Sequence, residues 1–297
     1  MKNKQGFISV TVIYTFFLVF LSLMLFIVTN MVVNRNLLNN LKQTIKDDIS
    51  DTNFTRYLMN HSEDEKINLT KVIKDNSYRF TGANPNNYIK FVESDKQYRM
   101  IGIINGKIKV IDTSYKEIEY NDTLNNSYEN TTIRELLNNE YLNTLNDKTL
   151  NLIDESIWYI NGISKDYEDI DDLTDKEIGE EKNNGKYVTE KIGLPYISDY
   201  IYAYDSLDSE YGKKVSQTNN WFFKENTWFI TRVIYNIDNT QIDSDFYKYV
   251  FYLKNDGLVD ISLVTEKKYT TPCFYLKSNI KYISGTGSLT DPYIIGA

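Results

Sequence analysis

Few residues of this chain have the chemistry of a catalytic nucleophile or of a metal ligand. Its 297 residues include one cysteine, Cys273, and one histidine, His61. A zinc site normally draws on several Cys or His ligands, and a disulfide framework needs an even number of cysteines. His61 lies in the polar stretch MNHSEDEK, so we expect it to be exposed, and no nucleophile motif lies near it. The sequence predicts no cofactor, and Cys273 is expected to be a small core residue.

Carboxylates are so numerous that their presence alone does not identify an acid–base pair. Among 41 Asp and Glu residues, some pair will always lie at the separation of about 5 to 9.5 Å that glycoside hydrolysis needs. Asp199 and Asp205, in ISDYIYAYD, are the least arbitrary candidates because aromatic residues surround them. We expect Asp199 to be a structural hydrogen-bond acceptor, with a place on a ligand-binding surface as the alternative. Trp221 and Trp228 are expected to be core rings, with sugar-stacking platforms as the alternative.

An acidic run, KDYEDIDDLTDKEIGEEKNNGK, carries eight Asp and Glu residues between Glu168 and Glu181. A calcium-binding EF-hand loop needs D-x-[DN]-x-[DN]-G at set positions, and that pattern is absent from the run. The composition instead predicts a solvated surface loop or the tip of a hairpin.

The elements that must hold these residues begin with an apolar segment. Phe7 to Val33 is free of charged residues. As a helix this segment would span about 40 Å, more than the roughly 30 Å hydrocarbon core of a bilayer. A secretory signal has a shorter apolar region and ends in small residues before its cleavage site. The sequence therefore predicts a permanent transmembrane helix.

The helical pattern continues beyond the apolar segment as an amphipathic extension over residues 34–60. Charged residues lie off a 3-4-4 stripe of apolar residues. The stripe consists of Leu38, Leu41, Ile45 and Ile49.

One long helix, apolar first and amphipathic later, that follows KNKQGF resembles the N-terminus of type IV pilins and pseudopilins. The resemblance implies a basic leader that a peptidase cuts between Gly6 and Phe7. Those families usually carry Glu at the fifth mature position, where this chain has Thr11, although some minor pseudopilin-like proteins lack that Glu. A plain single-pass anchor explains the same residues, so both interpretations stay open.

After residue 77 the chain is rich in strand signals. YRMIGIINGKIKVIDTS and several later runs are dense in β-branched and aromatic residues. Asn105-Gly106 between two apolar runs predicts a type I′ hairpin. Asn255-Asp256-Gly257 predicts a second hairpin.

Helix signals occur in the middle of this region. Thr132, with Glu135 three residues later, predicts a capping box. The apolar spacing that follows predicts two short helices broken around Asn146-Asp147. The fold class expected is therefore α+β: a β-rich mixed domain with short helices behind the N-terminal helix.

Seven stretches of this domain occur in an order that resembles a family of uncharacterised surface modules of Bacillota and Mollicutes-like bacteria. They are YIKF with YRMIGIINGKIKVI, IRELLNNEYLNTL, IWYINGIS, KIGLPYISDYIYA, NNWFF with TWFIT, VFYLKNDGLV, and PCFYLKSNIKYISGTGSLTDPYII. Such modules are in turn similar to the fold shared by formylglycine-generating enzymes and C-type lectins. The enzymes depend on reactive cysteines with copper, which Cys273 alone cannot supply. The calcium cage of the lectins has no counterpart triplet in this sequence.

The expected organisation is a leader or cytoplasmic tail (1–6), a transmembrane helix (7–33), its amphipathic extension (34–60), a linker (61–77) and an extracellular α+β domain (78–297). Basic residues on the two sides of the apolar segment are nearly balanced, so they do not fix its orientation. The short N-terminal tail and the resemblance to surface modules favour an extracellular domain and a single-pass location in the cell membrane.

These features predict a membrane-anchored extracellular structural or binding protein without enzymatic activity, in one version a minor pilin-like subunit. A cell-surface enzyme acting on carbohydrate or peptide bonds, or a glycan-binding adhesin, is the alternative. The expected partners are the lipid bilayer and, through the N-terminal helix, other pilin-like subunits. A net charge of −8 argues against nucleic acid.

Overall fold

The computed structural model of this chain divides into two compact units, Met1–Asp51 and Thr52–Ala297. The residues it describes are 14–32, 53–64, 66–73, 75–114, 116–164, 170–178, 185–204, 220–222, 226–234 and 245–297.

Helix α1, Tyr14–Val32, is the described part of the first unit. It has 19 residues and a mean hydropathy of 2.3, and its side chains are exposed. At 1.5 Å per residue the helix is about 28 Å long, close to the thickness of a bilayer core. Ser22 Oγ donates to the Val19 carbonyl, so this polar side chain is satisfied within the helix. The structure confirms an apolar helix long enough to cross a membrane. The predicted cleavage point at Gly6 and Phe7, and residues 34–52 of the extension, lie outside the described residues.

The second unit begins with helix α2, Phe54–Asn60, which belongs to the predicted extension. The Asn53 side chain caps this helix by accepting from the Arg56 N–H. Asn53 Nδ2 also donates to the Ser278 carbonyl, and the Phe54 N–H donates to the Ile280 carbonyl. These bonds hold the start of the unit against a segment near its C-terminus.

Residues 61–77, expected to be a linker, are instead part of the folded unit. Strand β1, Leu69–Val72, lies within them, and β2, Ser77–Phe80, begins at their end. The two strands pair antiparallel, and the Ile67 and Leu69 side chains are buried in the core. Burial of these apolar residues explains why the segment folds although most of its residues are polar.

The larger sheet contains nine strands of the described residues, and its main path runs β16-β17-β3-β4-β5-β15-β7. Strand β2 pairs with β4 beside this path, and β17 pairs parallel with β3. Both residues of the Asn105-Gly106 turn have positive φ, 51° and 72°, which confirms the type I′ hairpin. The further strands are β3 (Tyr88–Phe91), β4 (Gln97–Ile104), β5 (Lys107–Ile111), β7 (Ile153–Asp154), β15 (Cys273–Leu276), β16 (Lys281–Ser284) and β17 (Tyr293–Gly296).

The second sheet has six strands in the described part of the chain, with β13-β12-β11-β14-β6 as its path and β9 parallel to β11. The predicted hairpin at Asn255-Asp256-Gly257 joins β12 to β13. The strands of this sheet are β6 (Glu117–Glu119), β9 (Gly162–Ile163), β11 (Thr227–Val233), β12 (Tyr249–Leu253), β13 (Val259–Leu263) and β14 (Lys267–Tyr269). A separate two-stranded sheet pairs β8 (Ser156–Tyr159) with β10 (Tyr187–Glu190).

Short helices connect the sheets. The predicted capping box of Thr132 and Glu135 is wrong: the residue that caps α3 (Thr132–Leu136) is Thr131, whose hydroxyl accepts from the N–H of Arg134, and an arginine at that position cannot return the second bond of a box. The predicted break is confirmed, since the Asn146 side chain caps α4. The helices are α3 (Thr132–Leu136), a π-helix (Leu137–Tyr141), α4 (Asp147–Leu152), α5 (Ile170–Ile178), α6 (Ile197–Ile201), and 3₁₀ turns at Tyr128–Asn130, Leu142–Thr144 and Phe246–Lys248.

The prediction of a loop or hairpin tip for the acidic run is wrong in the central part of the run, where helix α5 (Ile170–Ile178) forms. Leu173 and Glu177, four residues apart and on one face of the helix, are both fully buried. Thr174 is buried beside them, and the many charges of the run conceal these few inward-facing residues.

One cluster of buried apolar residues, drawing on both larger sheets and on α2, forms the core of the second unit. Cys273 is fully buried in it, as predicted. His61 was expected to be exposed but is half-buried, and its ring centre lies 4.3 Å from that of Tyr57. The structure confirms a mixed, sheet-rich α+β class.

Candidate functional site

A cleft of about 680 Å³ opens beside the larger sheet. Strands β2, β5, β8 and β15, helices α5 and α6, and the β4–β5 turn contribute its lining residues. Of the site candidates named from the sequence, Asp199 lies here.

Asp199 bridges two buried cations in this cleft. Arg79 donates from one guanidinium nitrogen to Asp199 Oδ1 at 2.6 Å, and Lys109 Nζ donates to Asp199 Oδ2 at 2.6 Å. The second terminal nitrogen of Arg79 contacts Asp75 Oδ2 at 2.8 Å. The exposed fractions of the Arg79, Lys109 and Asp199 side chains are 2%, 0% and 1%. With Asp75 included, the network holds two positive and two negative charges and is neutral.

The sheet register explains how both cations reach one carboxylate. Arg79 on β2 lies opposite Gly102 on β4, and Gly102 lies opposite Lys109 on β5. Residues opposite one another in neighbouring strands project to the same face of a sheet. A Cβ on Gly102 would come within 2.1 Å of the Tyr78 carbonyl oxygen and 3.1 Å of Arg79 Cδ. Glycine at this position therefore leaves room for the arginine and for the close approach of β2.

Aromatic rings surround the ammonium group of Lys109. Its Nζ lies 4.4 Å from the ring centre of Tyr196, 5.1 Å from that of Trp158 and 5.5 Å from that of Tyr275. A cation over an aromatic face is attracted to its negative quadrupole. Among the described residues, Asp199 Oδ2 is the one oxygen or nitrogen that accepts from Nζ, so two of its three N–H bonds point elsewhere.

The charged groups of this network keep one another ionised. Burial alone would raise the pKa of Asp199, but Lys109 and Arg79 hold it below its ordinary value. Burial alone would lower the pKa of Lys109, but Asp199 holds it above its ordinary value. Both groups are therefore charged at neutral pH.

A second buried carboxylate, Glu177 of helix α5, contacts the start of helix α6. Its Oε1 accepts from the Ile197 N–H at 2.9 Å and its Oε2 from the Ser198 N–H at 3.0 Å. The Thr231 hydroxyl also donates to Oε1. Burial raises the pKa of Glu177, and these donors oppose that rise. Asp199 Oδ2, within α6, accepts from the Tyr196 N–H at 2.9 Å, so one carboxylate of α6 itself and one of α5 satisfy the N–H groups at the start of this helix.

The Ser156 hydroxyl, in the cleft lining, lacks a partner among the described residues. Ser156, at the start of β8, is 8% exposed, and its Oγ makes no hydrogen bond with any residue that the structure describes. Buried hydroxyls normally have a partner, so this one marks a position where the lining has spare hydrogen-bonding capacity.

The other sequence candidates do not line the cleft. Trp228 is fully buried and its Nε1–H donates to the Ile118 carbonyl. Trp221 is also buried, with Arg99 stacked 4.3 Å from its ring centre. Burial leaves neither indole face open as a sugar platform. Asp205 lies outside the described residues.

Asp199 is a buried hydrogen-bond acceptor, as predicted, but the sequence did not indicate that its partners are Arg79 and Lys109. Arg79 and Lys109 precede it by 120 and 90 residues, and no local spacing connects them. The one available signal was a lysine inside the apolar run IKVI. Within the described residues, no group of three or more His, Cys, Asp or Glu side chains is arranged to hold a metal ion.

No protein-family model, curated protein or solved structure matches this chain.

Proposed function

We propose that this chain is a membrane-anchored extracellular protein whose second unit serves binding or assembly rather than catalysis. The observation that carries the proposal is helix α1, which is apolar, exposed and about the length of a bilayer core. A compact unit of a different composition follows it in the chain. An apolar helix followed by a folded unit is the arrangement of a membrane anchor that carries an extracellular domain. In this proposal the helix binds the lipid bilayer.

The finer version of the proposal is a minor pilin- or pseudopilin-like subunit, with its N-terminal helix packed against those of other subunits. Its support is the KNKQGF start before the apolar segment, and cleavage would fall between Gly6 and Phe7. For the second unit we propose a C-type-lectin-like arrangement, on the strength of the resemblance to surface modules. Against an enzyme, both oxygens of Asp199 are held by cations, so this carboxylate is poorly suited to exchange a proton.

The anchor is tested by fractionating cells that express the full chain. We expect the protein to resist extraction by alkaline carbonate and external protease to digest its second unit in intact cells. A Leu21→Arg/Leu25→Arg variant places two charges in the middle of α1, each costing about 2.5–3.5 kcal/mol in a bilayer, and should release the protein. Leu21→Ile/Leu25→Ile is the matched control and should remain bound. Release of the wild-type protein, or protection of its second unit, contradicts the proposal.

The pilin version is tested on the same material by measuring the mass of the N-terminus. A chain beginning at Phe7 supports it, and a Gly6→Leu variant should then remain uncut. An uncut wild-type chain in cells that process their own prepilins leaves the plain anchor and rejects the pilin version.

A further inference from the structure

We propose that the open face at the margin of the larger sheet binds a bilayer surface that carries anionic phospholipids. The outward-facing residues of β16, β17, β3 and β4 form this surface, which we name the basic face. The inference rests on the proposed function, because a membrane anchor is what brings the second unit to a bilayer.

The sheet register defines the basic face. Residues opposite one another in neighbouring strands project to the same side of a sheet, and successive residues of one strand alternate between the two sides. Three cross-strand pairs connect the four strands: Lys281 with Gly296, Ile294 with Lys90, and Tyr88 with Arg99. The side chains of the basic face are those of Lys281, Ile283, Ile294, Tyr88, Lys90, Val92, Gln97 and Arg99.

This part of the sheet is left uncovered. Further along the same side, Asp199 of α6 lies over Lys109 of β5, whose side chain is fully buried. On the basic face every side chain is at least partly exposed, Ile283 by 54% and Val92 by 37%. A Cβ on Gly296 would lie 3.2 Å from Ile283 and 3.5 Å from Val92, so the two apolar side chains form one patch. A sheet face that stays in water is normally polar.

The charge of the basic face is opposite to that of the whole chain. The chain carries a net charge of −8, whereas the outward positions of these four strands, all of them described, hold three cations and no carboxylate. Glu93 and Asp95, in the turn after β3, border the face, and each has a lysine partner, Lys148 and Lys90. An anionic surface would attract this face and repel the acidic remainder, which orients the unit.

Arg99 is a half-buried cation of the basic face without a carboxylate partner in the described part of the chain. Its guanidinium carbon lies 4.4 Å from the ring centre of Tyr88 and 4.3 Å from that of Trp221. Its nitrogens donate to Asn87 Oδ1 at 2.8 Å and to the Trp221 carbonyl at 3.2 Å. None of these partners is negatively charged, and burial lowers the pKa of Arg99 to about 10. A lipid phosphate at the face would supply the missing negative charge.

The chain enters the second unit beside the basic face. Helix α1 ends at Val32, and Asn53, at the start of the second unit, forms a β-bridge with Lys281. The twenty residues 33–52 between them can span at most about 70 Å when fully extended. A bilayer that holds α1 is therefore always within reach of the second unit, and the covalent connection arrives at the margin that carries the lysines. This favours the bilayer over a soluble partner or a second copy as the occupant.

The side chains of the basic face suit the surface of a bilayer. Lysine lays its apolar stem along a greasy surface while its ammonium group stays in water. Ile283 and Val92 offer the shallow apolar contact that supplements such charges in proteins that lie on membranes. Each lysine or arginine near an anionic membrane surface changes the binding equilibrium by about fivefold. Charge and apolar contact together make the face specific for an anionic bilayer.

The experiment measures how close the basic face comes to lipid headgroups in the full chain. One chain is placed in each nanodisc, made of phosphatidylcholine alone or with about 30% phosphatidylglycerol, and a fraction of the lipid carries a nitroxide on its headgroup. A fluorophore is attached to a Leu289→Cys variant, because Leu289 is exposed and its carbonyl accepts from Gln97 of the basic face. Cys273 is fully buried and does not compete for the label.

We expect nitroxide quenching of the Leu289 label to be at least about twofold stronger with phosphatidylglycerol than without it. The matched control is a Leu124→Cys variant, which labels another exposed leucine. Leu124 lies in a loop whose backbone bonds to Val264 and Tyr247, on the side of the second sheet. Quenching of the Leu124 label should not change with the lipid.

Charge variants locate the contact. Lys90→Gln/Lys281→Gln should lower the ratio of lipid-bound to unbound second unit by about 30-fold, since two lysines are lost, and should return quenching to the level seen in phosphatidylcholine. Lys254→Gln/Lys267→Gln removes the same charge from the second sheet and should change nothing. Sodium chloride at about 1 M, which shortens the Debye length to about 3 Å, should act like the first pair.

The proposal is overturned if quenching at Leu289 does not depend on phosphatidylglycerol, if the Leu124 label responds equally, or if the increase survives Lys90→Gln/Lys281→Gln. A change in Leu289 emission that appears without nitroxide, and only with two chains in a disc, identifies a second copy as the occupant and also overturns it. Carbonate extraction decides the anchor separately. A chain that resists extraction but shows no lipid-dependent quenching retains the anchor and rejects the basic face as a lipid-binding surface.

Discussion

Two buried carboxylates, Asp199 of α6 and Glu177 of α5, bind N–H groups at the start of α6 but are stabilised by different partners. Asp199 receives a backbone N–H and two cations, whereas Glu177 receives two backbone N–H groups and a threonine hydroxyl. Both are buried, and both satisfy amides at the start of the helix. The pKa of Asp199 is lowered below its ordinary value, and that of Glu177 is raised above it.

The difference shows what burial alone does to a carboxylate. Neutral donors stabilise the anion of Glu177 but do not overcome its desolvation, whereas the full positive charges beside Asp199 hold its pKa below the ordinary value. Glu177 therefore acts as a structural cap of α6, whereas Asp199 keeps Arg79 and Lys109 charged beside the cleft.

The largest test of this comparison is Asp199→Asn. It leaves Arg79 and Lys109 buried without their shared carboxylate, and we expect a loss of about 3–5 kcal/mol in the free energy of unfolding. Chemical denaturation of the full chain in nanodiscs measures it. Asp154→Asn is the matched control, because the Lys107–Asp154 pair is partly exposed and should cost no more than about 1 kcal/mol. Equal losses of unfolding free energy in the two variants would show that the buried network stabilises the fold no more than an exposed ion pair does.

Gly102→Ala tests the packing that lets the cations converge. The added Cβ would meet the Tyr78 carbonyl at 2.1 Å, so β2 must move, and we expect a loss of about 1–3 kcal/mol. In Gly296→Ala the nearest neighbour of the new Cβ would be a flexible side-chain carbon of Ile283 at 3.2 Å. That control should show the smaller shift in denaturant midpoint, and the reverse order would contradict the register argument.

Glu177→Gln should have a smaller effect than Asp199→Asn. The glutamine oxygen can still accept one backbone N–H, but its amide group then faces the other donor, which costs about 1 kcal/mol. Glu140→Gln, at an exposed position, is the control and should be neutral within error. A loss from Glu177→Gln as large as that from Asp199→Asn would remove the distinction between the two sites.

Acid titration of stability gives the finest comparison. Because the pKa of Asp199 is lowered, its contribution is complete above its ordinary value of 3.8 and is lost as the pH falls through the folded-state pKa. Because the pKa of Glu177 is raised, its contribution is present below its ordinary value of 4.5 and is lost as the pH rises. Measured as Tm between about pH 6 and about pH 2.5, the fall should be shallower in Asp199→Asn and steeper in Glu177→Gln than in the wild type. Three parallel curves would refute the assigned directions.

Local signals in the sequence were enough for the hairpins and the apolar helix. Asn105-Gly106 predicts its turn because positive φ is a property of those residues themselves. Lys109 was not predictable in the same way, because a lysine alternating with apolar residues indicates a solvent-facing position. In the fold, the segment carrying Asp199 covers that face of β5 and supplies the charge that permits burial. Contacts across 90 or 120 residues depend on topology, and no local pattern encodes them.

The bonds between Asn53 and Phe54 and the segment from Ser278 to Ile280 have a mechanical consequence. Any tension that reaches this unit from its N-terminal side is applied first next to β16, a terminal strand of the larger sheet. Strands β5 and β15, which carry Lys109 and Tyr275, lie beyond β17, β3 and β4 on the main path of that sheet. A pull applied at residue 53 would therefore separate the margin of the sheet before it deformed the strands that line the cleft.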